Sequence, residues 1–223
     1  MDRTRLVRPA VAGLLGVCIA LTGAGLPAAT AAAAKKPRSV CQKLAASHED
    51  LARSAKLVTA VLGGDESGRI SACVLPRGKV RTLASWDDGL SRDSASVIKT
   101  AGTWVLVEEG HGDQYGGTSR SLTRHDVRSG RVLALSGYGC QIDLGSGQRC
   151  PDGTSYDEVV LASGGAGAYE VTDLATATTT LEAFSPAGVF TTLAGGPVDA
   201  LRITRTQVVW TQDGVVHAAP VPR

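Results

Sequence analysis

The chain has 223 residues, with 23 Lys and Arg against 21 Asp and Glu, five cysteines and only nine aromatic residues. A formal net charge of +2 gives no overall basic excess of the kind electrostatic nucleic-acid binding needs. So few aromatics leave the core to Val, Leu, Ile and Ala, and no apolar run after the first thirty-odd residues approaches the roughly 20 that a membrane span needs.

The first predicted element is a secretory signal over residues 1–34. Arg3, Arg5 and Arg8 form its basic start, an apolar stretch follows from Pro9 to Leu26, and Ala32-Ala33-Ala34 fits a small-residue cleavage rule. Cleavage there leaves 20 cations, 20 anions and four cysteines in residues 35–223, a neutral single domain of secreted or cell-envelope character. The charge is uneven: ten cations and four anions fall in residues 35–81, ten cations and sixteen anions in 82–223. The basic segment suits an anionic envelope surface. Export favours disulfides, and the expected pairs are Cys41–Cys73, tying the N-terminal segment to the first strands, and Cys140–Cys150, closing a Gly-rich loop. Residues 37–50 read either as a closing strand or as a short helix with Leu44, His48 and Leu51 in step.

From there the chain repeats with a period near fifty residues. Pro76 to Ser85, Arg128 to Gly137 and Pro186 to Gly195 align without gaps, each a turn with Gly78, Gly130 or Gly188 followed by a short strand. Apolar runs closed by glycine recur in step at Leu57 to Gly64, Trp104 to Gly110, Val159 to Gly165 and Val208 to Gly214, and they read as buried strands. Between run and turn lie strands such as Arg69 to Leu75, Ser121 to Val127 and Thr178 to Phe184; before the run come Ser96 to Ala101 and Ala200 to Thr204. Four antiparallel strands per unit describe an all-β, β-propeller-like repeat of about four blades. A β-sandwich or an open propeller-like stack of sheets is the alternative.

Three stretches carry a resemblance: Cys41 with Ala60-Val61-Leu62 and Ile70-Ser71-Ala72-Cys73-Val74-Leu75; Leu122-Thr123-Arg124-His125-Asp126-Val127-Arg128-Ser129-Gly130-Arg131-Val132; and Leu201-Arg202-Ile203-Thr204 with Val208-Val209-Trp210-Thr211-Gln212-Asp213-Gly214. On these the chain resembles exported TolB-like propeller proteins of high-GC bacteria. The resemblance implies fold and export, and brings no catalytic residues.

In an up-and-down unit, the loop between the second and third strands shares an end with the connection to the next unit. The long stretches Trp86 to Ala95, Gly110 to Arg120 and Tyr138 to Tyr156 fall at that end and gather Asp87, Asp88, Asp93, His111, Asp113, Asp143 and Asp152, with Trp86 and Tyr115 nearby. Loops on a rigid scaffold carry function more often than strands do. Oxygen-rich loops suit Ca²⁺, although no EF-hand or RTX spacing is present; Asp and Gly are also ordinary turn formers. His111 with an Asp partner has the chemistry of a general base, whereas His125-Asp126 reads as a surface pair before a turn. Ser96-Val97-Ile98-Lys99 matches the Ser-x-x-Lys of serine acylases, but a strand sends Ser96 and Lys99 to opposite faces. The expected function is a non-enzymatic exported module that binds a protein, glycan or cell-envelope partner. The alternative is an extracellular polysaccharide hydrolase or lyase using carboxylates of the acidic face.

Overall fold

The structure is a computed structural model that describes residues 39–47, 50–54, 56–63, 67–87, 93–112, 117–143 and 147–223; the expected signal, residues 1–34, lies outside them. Among the described residues one helix, α1 (Val40–Ser47), precedes fifteen strands. It opens with a capping box: the Ser39 hydroxyl accepts from the Gln42 amide at 3.2 Å, and the Ser39 amide donates to Gln42 Oε1 at 2.9 Å. Thus the described part of 37–50 is helix over Val40–Ser47 before Asp50 opens a strand, and the buried Cys41 and Leu44 of the helix pack on Ala60 and Cys73. The Cys41–Cys73 disulfide joins them with Cα atoms 5.5 Å apart.

The fold is all-β, in three antiparallel sheets, none closed on itself. The first runs β1 (Asp50–Ser54), β2 (Leu57–Gly63), β3 (Ser67–Val74), β4 (Val80–Asp87) in order. The second is an eight-stranded meander of β5 (Ser94–Ala101), β6 (Trp104–Gly112), β7 (Thr118–Asp126), β8 (Val132–Asp143), β9 (Gly147–Leu161), β10 (Gly167–Asp173), β11 (Thr178–Phe184) and β12 (Phe190–Gly195). The third holds β13 (Asp199–Ile203), β14 (Gln207–Gln212) and β15 (Val215–Pro220). Among the described residues no helix is long and apolar enough to cross a membrane.

The apolar runs of the sequence are the second strands β2, β6 and β14, together with the end of β9. Their burial explains their composition. In β6, Val105 and Val107 face Leu57, Ile70 and Leu83 of the first sheet, while Leu106 faces Leu161, Tyr169 and Phe184 on the other side. A strand covered on both faces has no polar side to alternate. A further apolar layer, with Leu181, Val208 and Trp210, lies between β9–β12 and the third sheet. The order of layers is therefore α1, β1–β4, β5–β8, β9–β12, β13–β15. The first strands of successive groups are neighbours: β1 lies against β5, β5 against β9 and β9 against β13. Two of the three repeated turn glycines have the positive φ read for them, Gly130 and Gly188 with φ near +82° and +90°.

The stretch Tyr138 to Tyr156 differs from the expected loop. It is the far half of β8 paired with the near half of β9, from Tyr138↔Gly153 to Asp143↔Gly147. This hairpin joins β5–β8 and β9–β12 into one ladder even though their other halves pack face to face. The backbone register brackets Cys140 and Cys150 between the pairs Gly139↔Asp152 and Gln141↔Arg149; the side chains of both cysteines lie outside the described residues.

His125 also departs from its surface reading. It is 8 % exposed, with Nε2 at 2.9 Å from the Thr123 hydroxyl. Asp126 instead organises the turn, accepting from the Arg128 amide at 3.0 Å and the Ser129 hydroxyl at 2.6 Å. The β13 segment is fastened by two carboxylates from neighbouring strands: Glu170 accepts from the Val198 amide at 2.7 Å and Glu158 from the Leu201 amide at 3.0 Å.

Candidate functional site

Strand pairing decides which polar groups share a face. Ala95 pairs with Glu109, and His111 pairs with Ser119. Side chains alternate along a strand, so Asp93, Glu109, His111, Ser119 and Ser121 look toward the first sheet. Trp86 faces them from β4. Its ring lies over Gly68, its partner across the ladder, where an added Cβ would collide with the indole. Together these residues line a cleft of about 170 Å³ between the first sheet and β5–β8.

Inside it, His111 Nδ1 and Asp93 Oδ1 form a hydrogen-bonded pair, with side chains 57 % and 26 % exposed. The pair links the start of β5 to the far end of β6. Beside it, burial pushes the Glu109 carboxyl above the usual carboxylate range. The cleft thus offers an imidazole, two carboxyls, hydroxyls and an indole to a small polar ligand.

The raised Glu109 carboxyl has a measurable consequence. The folded chain holds this proton to higher pH than the unfolded chain does, so stability falls as pH rises from the ordinary glutamate range through the folded value, and stays lower above it. Glu109→Gln removes the ionisation. Its melting temperature is expected above wild type at pH 7 and equal to it below about pH 4. Burial lowers the His125 pKa, which acts in the opposite sense, because stability is lost as pH falls below about 6.5. Comparing variant with wild type at each pH cancels that contribution. A Glu109→Gln variant less stable than wild type at pH 7 would contradict the assignment.

Of the residues expected at this end, Asp93 and His111 meet. Asp87 ends β4, paired with Ser67. Asp88, Asp113 and Tyr115 lie outside the described residues, as do the side chains of Asp143 and Asp152. Among the described residues no group of three His, Cys, Asp or Glu is placed to hold a metal ion. Ser96 and Lys99 belong to β5, but they do not face opposite ways as expected: a bulge at Ile98 pairs Ser96 with Glu108 and Lys99 with Leu106, so both share the face toward β9, where the Lys99 ammonium donates to the Val159 carbonyl at 3.4 Å.

Sequence reasoning passed over Glu108 and Glu109, because they close an apolar run. The signal was there: two adjacent glutamates ending a strand buried on both faces put one carboxyl into each flanking cleft. Comparison of the chain with protein-family models, with curated proteins and with solved structures gives no match.

Proposed function

We propose that this chain is an exported, β-propeller-like binding module, of the kind its resemblance to TolB-like proteins suggests, and that its ligand face is the end where Asp93, Glu109 and His111 meet. The observation that carries this reading is the Asp93–His111 pair, set with Glu109 in a cleft between neighbouring sheets. Antiparallel meanders of four, eight and three strands, in which β1, β5, β9 and β13 lie against one another in turn, support the propeller-like arrangement. The Cys41–Cys73 disulfide suits an oxidising compartment outside the cytoplasm. The partner is a component of the bacterial cell envelope.

One observation favours a second reading, a polysaccharide hydrolase. A glutamic acid with a raised pKa beside another carboxylate is the equipment of a general acid. Both readings are tested by incubating residues 35–223 with purified peptidoglycan sacculi and sedimenting them. The binding reading expects retention of wild type, at least tenfold weaker retention of the Asp93→Asn/His111→Ala variant, and no sugar released. Released reducing sugar that disappears in Glu109→Gln would establish the hydrolase instead. Retention unchanged in the double variant would overturn the assigned face.

A further inference from the structure

The opposite face of β6 and β7 carries a second cleft at the same end, between β5–β8 and β9–β12. We propose that it is a subsite for one neutral pyranose ring of a glycan, an inference that rests on reading this end as the ligand face. The cleft measures about 280 Å³ and is lined by Glu108, Arg120, Ser136, Tyr138, Tyr156 and Asp157, with Leu122 as its floor. Pockets for drug-sized ligands run from about 300 to 1,000 Å³, so this one is sized for a single ring.

Its register is set by the ladder. Leu122 pairs with Glu108 and with Ser136, and Arg120 pairs with Tyr138, so these side chains share one face. The Tyr156 hydroxyl donates to Glu108 Oε2, which fixes that carboxylate. Burial, reinforced by the Glu108 carboxylate, keeps the Tyr156 phenol protonated far above neutral pH. Arg120 Nη1 stands 3.9 Å from Glu108 Oε1 while the arginine side chain stays 60 % exposed, with donors left for a ligand. Ser136 is only 9 % exposed, yet its hydroxyl has no hydrogen-bond partner within the protein. Buried hydroxyls are nearly always bonded, so this one signals a ligand or bridging group at the cleft.

The ligand class follows from the charges. One arginine against Glu108 and Asp157 leaves the cleft net negative, which disfavours phosphates and carboxylates. Glu108 is already engaged by Tyr156 and approached by Arg120, so it is not a lone carboxylate awaiting an ammonium. What remains is a donor and an acceptor side by side, the complement of a pair of adjacent hydroxyls. Two tyrosine rings flank them and supply apolar area with a polar tip.

The test is saturation-transfer NMR and titration of residues 35–223 with the methyl glycosides of glucose, galactose, mannose and N-acetylglucosamine, with glucosamine and glucuronate as charged probes. At least one neutral glycoside is expected to bind, with Kd of about 1 mM. Arg120→Ala and Glu108→Gln each weaken it at least tenfold, and Arg205→Ala, at the opposite end of the sheets, leaves it unchanged. Arg120 is exposed, so its variant should melt like wild type and report the site alone. Tighter binding of either charged probe, no binding of any neutral glycoside, or indifference to Arg120→Ala overturns the subsite. If sacculi retention still depends on Asp93 and His111 while the glycosides fail, only the subsite falls.

Discussion

Arg124→Met is expected to lower the unfolding free energy by about 3–5 kcal/mol, and the melting temperature by roughly 10 °C for a domain of this size. Arg124 is 3 % exposed near the end of β7. Its guanidinium lies 4.6 Å from the centre of the Trp104 ring and 5.1 Å from that of Phe184, a cation between two aromatic faces. It donates to the carbonyls of Gly165, Ser185 at 2.9 Å and Pro186 at 3.0 Å, all in turns belonging to β9–β12. One side chain thus ties two packed layers together through three charge-assisted bonds. Burial pushes its pKa down to about 10, with Arg131 adding to the shift and Asp126 opposing it; the group stays charged at neutral pH. Methionine keeps most of the apolar volume, so the loss measures the bonds. Ser185 keeps the Gly188 amide as a donor, while Gly165 and Pro186 lose their arginine donor. Arg124→Lys should fall between the two, because a point charge cannot reach three carbonyls or stack as a plane. Denaturant melts decide it: a methionine variant within about 1 kcal/mol of wild type would show that the arginine is not the tie.

Cys41→Ala/Cys73→Ala should cost about 3–4 kcal/mol, the chain-entropy value for a loop closed across 32 residues. The effect should also be local. Eight residues are too few for a helix to persist in water without tertiary support, and α1 is held by the disulfide together with Leu44, Ala60 and the flanking Leu62 and Leu75. Amide exchange over 40–47 should therefore rise sharply, while β6 and β7 keep their protection. Wild type under reducing agent should lose the same amount. A double variant with unchanged stability and a protected helix would mean that packing alone holds α1.

Much of this architecture could be read from residue order. Val105-Leu106-Val107 is apolar without alternation because both faces of β6 are covered, and such runs at near-fifty spacing gave β2, β6, the end of β9, and β14. The hairpin of β8 and β9 was not legible. Gly139 and Gly153 read locally as loop, and only pairing with a strand more than ten residues away makes them ladder. Arg124 and His125 were hidden for a related reason. Adjacent strand residues face opposite ways, and in β7 both ways lead inward, so a charged and a titratable side chain are buried in succession. The site was half legible. Asp93 and His111 could be brought together by topology, whereas Glu108 and Glu109 required knowing that β6 is flanked by a cleft on each side.

The ligand face proposed above lies at one end of these sheets. The turns at the other end include Ser163, Arg205 and Thr206, around a larger cavity of about 790 Å³. Retention on sacculi, measured in parallel for Asp93→Asn/His111→Ala and for Arg205→Ala, compares the two ends directly. The first variant is expected to lose retention at least tenfold and the second to match wild type; loss in Arg205→Ala with the Asp93 and His111 variant retained would contradict the proposed face.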